Sequence, residues 1–165
     1  MNISNWMRLR KAPDRVITLE DGAPYLRRWH LIPRNRLFNL YLHHFVASDV
    51  PVPHDHPWWN VSVVLDGVYD EFVLHTDTDA PYTVAHTRRL LSVVLRRPQT
   101  AHYIELPEGA GAWTLFFTGP VVRDWGFWVV VRGYKRACRW IHWSQYLTGD
   151  RRDAQRAVTD SEGLK

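Results

Sequence analysis

The sequence predicts an all-β chain, a small antiparallel β-barrel with a short C-terminal helical or irregular segment. Three observations carry this. Runs of alternating apolar and polar residues recur at intervals of about eight to twelve residues with turn signals between them. At 165 residues, 45% hydrophobic and 23% charged, the chain is most simply one domain with a real core. A helical stretch is expected only near the C-terminus.

Residues 1–24 read as an N-terminal arm, because Pro13 and the turn-prone Asp21-Gly22-Ala23-Pro24 interrupt regular structure. Residues 25–32 form the first expected strand and residues 33–36 a turn. In residues 37–46 the alternation places Asn39, Tyr41, His43 and Phe45 on one face and Leu40, Leu42 and His44 on the other. One of the two adjacent histidines therefore points inward, as a core histidine or as a group beside the site. Pro51 and Pro53 lead from a loop into a histidine strand that ends at the Asp66-Gly67 turn. Further strands are expected at residues 68–75, 82–87, 90–97, 100–106, 113–118 and 125–132. Residues 138–147 are aromatic-rich and read as a short helix capping the barrel, within a domain spanning residues 25–147. Residues 148–165 read as a polar tail.

The chemistry concentrates in Pro53-His54-Asp55-His56-Pro57-Trp58-Trp59-Asn60. Two histidines one residue apart on a strand share a face, the arrangement of a paired metal ligand. His102, on another short strand after Arg97-Pro98-Gln99, supplies a third imidazole. Imidazole suits iron, zinc, nickel or manganese, and a metal needs ligands converging from different parts of a fold. The competing reading is a solvent-exposed His-Asp-His strand end with His102 in the core. Asp55 lies between the histidines and points to the other face, so it is expected behind the ligands or on the outer surface. Tyr41, Trp58, Ser62 and Ile104 share the inward faces of their strands and are the candidate pocket. Either Trp113 or its neighbour Thr114 completes it, and Arg96 or Arg97, on opposite faces of a strand end, could hold a carboxylate or phosphate.

His54-x-His56, three residues, Asn60, six residues and Gly67 resembles the first cupin motif, in which a glutamate stands where this chain has Asn60. Pro98 and His102 resemble the second motif more loosely, with Leu106 where an asparagine is usual. Tyr25-Leu26-Arg27-Arg28-Trp29 and residues 114–126 also look like a group of small single-domain cupin-like proteins of phages and bacteria. The resemblance covers roughly residues 25–145. It implies a double-stranded β-helix of the jelly-roll type and one divalent ion on His54, His56 and His102. Asn60 would be a weak ligand or none, and His43 a group behind the ligands. Three-histidine iron sites occur in thiol dioxygenases of that superfamily. Three neutral imidazoles leave a divalent ion its full charge, which favours an anionic or chelating substrate. Cupins often dimerise, so a homodimer is a further expectation.

Three functions stay open on the sequence: a mononuclear non-haem iron oxygenase, a metal-independent sugar-nucleotide epimerase or isomerase, and a non-catalytic metal-stabilised binding protein. The last would suit a phage particle or a regulatory complex. Fold alone does not choose among them. The single cysteine, Cys138, forbids an internal disulfide and suits a reducing cytoplasm. With no basic-apolar leader and no apolar run near 18 residues, neither export nor a membrane span is expected. The net charge of +4 divides into basic flanks around an acidic centre, residues 39–120 holding four Arg/Lys against nine Asp/Glu. No basic helix or nucleic-acid motif accompanies those flanks, so they read as solvated surface.

Overall fold

The computed structural model describes residues 12–19, 21–77, 81–131 and 137–148. Its strands are β1 (Arg15–Thr18), β2 (Pro24–His30), β3 (Asn39–Phe45), β4 (Asn60–Asp66), β5 (Tyr69–His75), β6 (Tyr82–Arg88), β7 (Val93–Arg96), β8 (His102–Glu105), β9 (Ala112–Thr118), β10 (Gly126–Val131) and β11 (Ala137–His142). A single helical turn and a half, α1 (Trp143–Thr148), follows.

One sheet has six strands in the order β1-β2-β3-β9-β4-β7. Facing it are the three-stranded β6-β5-β8 and the two-stranded β10-β11. Isolated bridges from His54 to His102 and to Phe127 join these last two groups into one layer. The crossovers β3-β9-β4 place strands distant in sequence side by side, as a jelly-roll winding requires.

Period-two alternation explains which side chains fill the interior. On β2, β3, β9 and β4 the registers Arg28↔His43↔Thr114↔Val64 and His30↔Tyr41↔Phe116↔Ser62 form rows across the inner face. Val64, Tyr69, Ile104 and Ala112, with Phe45 and Leu106 against them, close one end of the barrel as an apolar plug. On the opposite face of the six-stranded sheet, Trp29, Leu42 and Trp113 form a second cluster, with Trp29 stacked on Trp113 at 5.4 Å and His44 on Trp113 at 4.1 Å. The C-terminal hairpin and helix contribute a third cluster of Val129, Ile141 and Tyr146.

Three expectations need correction. Part of the expected arm is a strand: Arg15–Thr18 pairs antiparallel with β2, which supplies the edge its alternation needs. Residues 1–11 of that arm, and 149–165 of the expected tail, lie outside the described residues. The expected helix at 138–147 is a strand through His142, paired with β10 from Gly126↔His142 to Val131↔Ala137, and only the last turn is helical. Here cross-strand pairing overrides an ambiguous local signal. The strand expected from residue 90 starts at Val93, because Arg89–Ser92 turns sharply with Leu91 at φ 64°.

The β4–β5 hairpin depends on Gly67. Its φ is +82°, and a Cβ there would lie 2.2 Å from the Gly111 carbonyl oxygen and 2.9 Å from the Ala112 Cα. Both the backbone conformation and the close approach exclude a side chain. Gly67→Ala is expected to lower the unfolding free energy by about 2 kcal/mol or more, the cost of a non-glycine residue forced into the left-handed region. Urea denaturation of the variant beside the parent measures it.

Candidate metal centre

The residues before β4 are held by their main chain more than by strand pairing. His54 donates its N–H to the His102 carbonyl and accepts from the His102 N–H, both at 3.0 Å. His56 donates to the Pro98 carbonyl at 3.1 Å. The histidines thus sit on an extended segment before β4, with His54 spliced between β8 and β10. Alternation still holds: His56, Trp58, Asn60 and Ser62 face inward, while Asp55 faces the C-terminal hairpin.

Ring nitrogens of His54, His56 and His102 all lie within 4.8 Å of one another. The His56 Nε2 and His102 Nε2 atoms are 3.0 Å apart. His102 turns its Nδ1 to the Glu71 Oε1, 3.0 Å away though without the alignment of a straight hydrogen bond. A proton on Nδ1 therefore faces the carboxylate, leaving Nε2 with a lone pair directed at His56. Two metal–nitrogen bonds of about 2.1 Å meeting near a right angle span about 3.0 Å, so the pair has the edge length of a ligand set.

Electrostatics keeps the His56 and His102 rings neutral. Burial and the nearby Arg96 charge lower His102 to about 4, against the opposing pull of Glu71. Burial, together with His102, His54, Arg96 and Arg28, holds His56 well below the ordinary imidazole range. At neutral pH the nitrogens are free to bind a cation, with little proton competition.

Glu71, which sequence reasoning missed, is the centre of a buried network. It is fully buried, and Arg96 Nε donates to its Oε1 at 2.5 Å while Arg88 Nε donates to Oε2 at 2.8 Å. Burial would raise its pKa, but His102 and Arg96 outweigh this and leave it far below the usual carboxylate range. Its signal in the sequence was parity: Tyr69 and Glu71 share a face of β5, and Tyr69 belongs to the core.

Asn60 is fully buried and accepts from Arg96 NH1 at 3.1 Å through Oδ1. The position at which a cupin carries glutamate is thus tied to an arginine of the neighbouring strand. The missing negative charge enters from β5 instead, behind His102.

Other expected residues divide. Tyr41 and Ser62 are buried on the inner face, and Trp58 stacks on His56 at 6.1 Å. Ile104 shares the inward side of β8 but packs in the apolar plug, so it is core and not pocket lining. Trp113 is corrected outright: its register partner is His44, which puts both on the outer face, and Thr114 and Phe116 line the interior. Arg97 is exposed, and its neighbour Arg96 is the one turned inward. Asp55 is neither a ligand nor behind one. Its carboxylate accepts from Gly126 N at 2.8 Å, Arg123 NH1 at 2.8 Å and Trp140 Nε1 at 3.0 Å, pinning the C-terminal hairpin. His43 is buried, receives the Arg28 Nε hydrogen bond at 2.9 Å and is not one of the three clustered histidines.

Glu71→Gln should cost about 3–5 kcal/mol of stability, because buried Arg96 loses its counter-charge, and weaken metal affinity about 10–100-fold through the loss of the group behind His102. Chemical denaturation and metal titration read the two effects separately. A second expectation concerns pH. A histidine depressed to about 4 in the fold binds its proton more readily when unfolded. Metal-free protein should therefore keep its full contribution above about pH 6.5, the ordinary histidine value, and lose it as pH falls toward 4. The loss is on the order of 3 kcal/mol, and Glu71 adds to it below its ordinary range. Denaturation midpoints at stepped pH check the direction.

No protein-family model and no curated protein sequence matches the chain. Solved structures do. The EutQ protein of Clostridium difficile is similar at TM-score 0.51 and 11% identity, over 74% of this chain and 93% of that one. An uncharacterised protein with a double-stranded β-helix domain from Klebsiella pneumoniae is similar at TM-score 0.50 and 10% identity, over 72% and 96%. An oxalate oxidase in complex with the substrate analogue glycolate matches at TM-score 0.45 and 13% identity over 55% of this chain, which spans 45% of that protein. At such identities the likeness concerns architecture alone, and the EutQ and Klebsiella structures agree with the two-layered winding described above. The chain has the fold of a double-stranded β-helix.

Proposed function

We propose that the chain binds one divalent metal ion through His54, His56 and His102 and that the loaded site acts on a small anionic or chelating molecule, with iron as the metal and oxygenation as the reaction. The observation that carries this reading is the convergence of three imidazoles, one of them backed by the buried Glu71 carboxylate. Three protein ligands leave coordination positions open, which is the arrangement of a catalytic and not a closed structural site. A metal there would supply Lewis acidity and, as iron, a place for oxygen and substrate together.

The chain's own residues do the rest. Glu71 orients His102 and keeps its proton on Nδ1. Asn60, engaged with Arg96, leaves the positive charge of the site undiminished. Trp58 shields His56, and the apolar plug below closes the interior at one end. Asp55 fixes the hairpin that carries Trp125 and Phe127 against His54, at ring separations of 6.4 and 5.8 Å.

The epimerase-like reading needs a histidine base paired with a carboxylate, and His102 with Glu71 offers such a pair. A base whose proton affinity is depressed to about 4 is, however, poorly matched to proton abstraction near neutrality. Among the described residues no helix is long and apolar enough to cross a membrane.

Protein grown with iron, zinc and manganese available should carry about one divalent ion per chain, as a three-histidine set predicts. His54→Ala or His102→Ala should remove most of it, and chelation should lower the melting temperature. Elemental analysis finding no metal in the parent protein refutes the reading.

A further inference from the structure

A second polar group inside the barrel is absent from the metal cluster. Arg28, His43 and Thr114 stand in one row across β2, β3 and β9, in direct register on the inner face. Arg28 has no carboxylate within ion-pair distance among the described residues. Its Nε donates to His43 Nε2 at 2.9 Å, and its guanidinium carbon lies 4.7 Å from the centre of the Tyr41 ring.

This hydrogen bond decides the chemistry of the row. Because His43 accepts through Nε2, its proton resides on Nδ1, and that buried Nδ1 has no partner. The Thr114 hydroxyl, on a residue with no exposed surface, is also without a partner. A guanidinium, an imidazole N–H and an unpartnered hydroxyl therefore line one row, and no carboxylate stands among them. Buried donors without acceptors are costly, and an anion in the interior that accepts from them would offset that cost. The row also faces the same interior as Asn60: two residues further along the strands come Tyr41, Phe116 and Ser62, and two further again Asn39, Thr118 and Asn60.

We infer that Arg28, His43 and Thr114 form an anion subsite that takes the carboxylate of the small molecule whose other end meets the three histidines. This rests on the metal-site reading for the second half of the ligand only; the subsite itself stands on the row. Arg28 supplies the charge and His43 the positioning, because its ring is fixed between Arg28 and Phe116, on which it stacks at 4.8 Å.

The test titrates malonate into the protein with one equivalent of zinc and into metal-free protein, following heat of binding. Arg28→Met should weaken malonate at least tenfold and leave zinc stoichiometry unchanged, with Arg28→Lys in between. Thr114→Val keeps the shape and removes the unpartnered hydroxyl, so it should raise the melting temperature of ligand-free protein while weakening malonate. Malonate binding unaltered by Arg28→Met or Arg28→Lys overturns the inference, as does a wild-type protein that binds no malonate with or without zinc. Inorganic phosphate binding through Arg28 in preference to malonate overturns the carboxylate assignment. Failure to take up zinc removes the metal reading alone, because the metal-free titration still reports on Arg28.

Discussion

The buried carboxylate of Glu71 is the constraint on which the site depends. One fully desolvated anion receives Arg96 from β7, Arg88 from β6 and the outer nitrogen of His102 from β8. Neither the Glu71 carboxylate nor the Arg96 guanidinium would tolerate the interior alone. Together they couple both layers of the barrel at the level of the histidines, so the pair His102 and Asn60, one on each layer, is positioned through a single side chain. The network also explains how the Asn60 carbonyl oxygen tolerates burial: it meets Arg96, which Glu71 has already oriented.

That arrangement changes how the departure from the usual cupin ligand set is understood. Replacing a glutamate by asparagine reads in the sequence as a loss of charge at the metal. In the fold the charge has moved outward by one shell of contacts, from a ligand position to the far side of an imidazole. A carboxylate in that place polarises and orients the histidine, yet leaves the inner space with more positive charge, to which Arg28 adds.

Much of the site was legible because period-two geometry needs no partner. His54 and His56 share a face whatever the strand pairs with, and His102 follows Pro98 at a spacing that suggests a companion ligand. What could not be read was parity between neighbours on strands of unknown orientation: Arg96 against Arg97, and Thr114 against Trp113. Either member of each pair satisfies the local pattern, and only cross-strand register selects one. Glu71 was hidden for a related reason, since a charged residue in a half-polar strand reads as exposed until Arg96, Arg88 and His102 are brought to it. The 137–142 strand was masked by aromatic residues that suit either state, and β10 settled it through pairing.

The splice at His54 has a mechanical consequence. A joint one residue wide connects β8 to the β10–β11 hairpin, reinforced by Asp55 on Gly126, Arg123 and Trp140. Such a hairpin is a natural unit of partial opening, and its separation from the rest would carry away the pairing that holds one of the three imidazoles. Amide protons of β10 and β11 would then exchange together as a block, at a rate that reports on the integrity of the histidine cluster some distance along the chain.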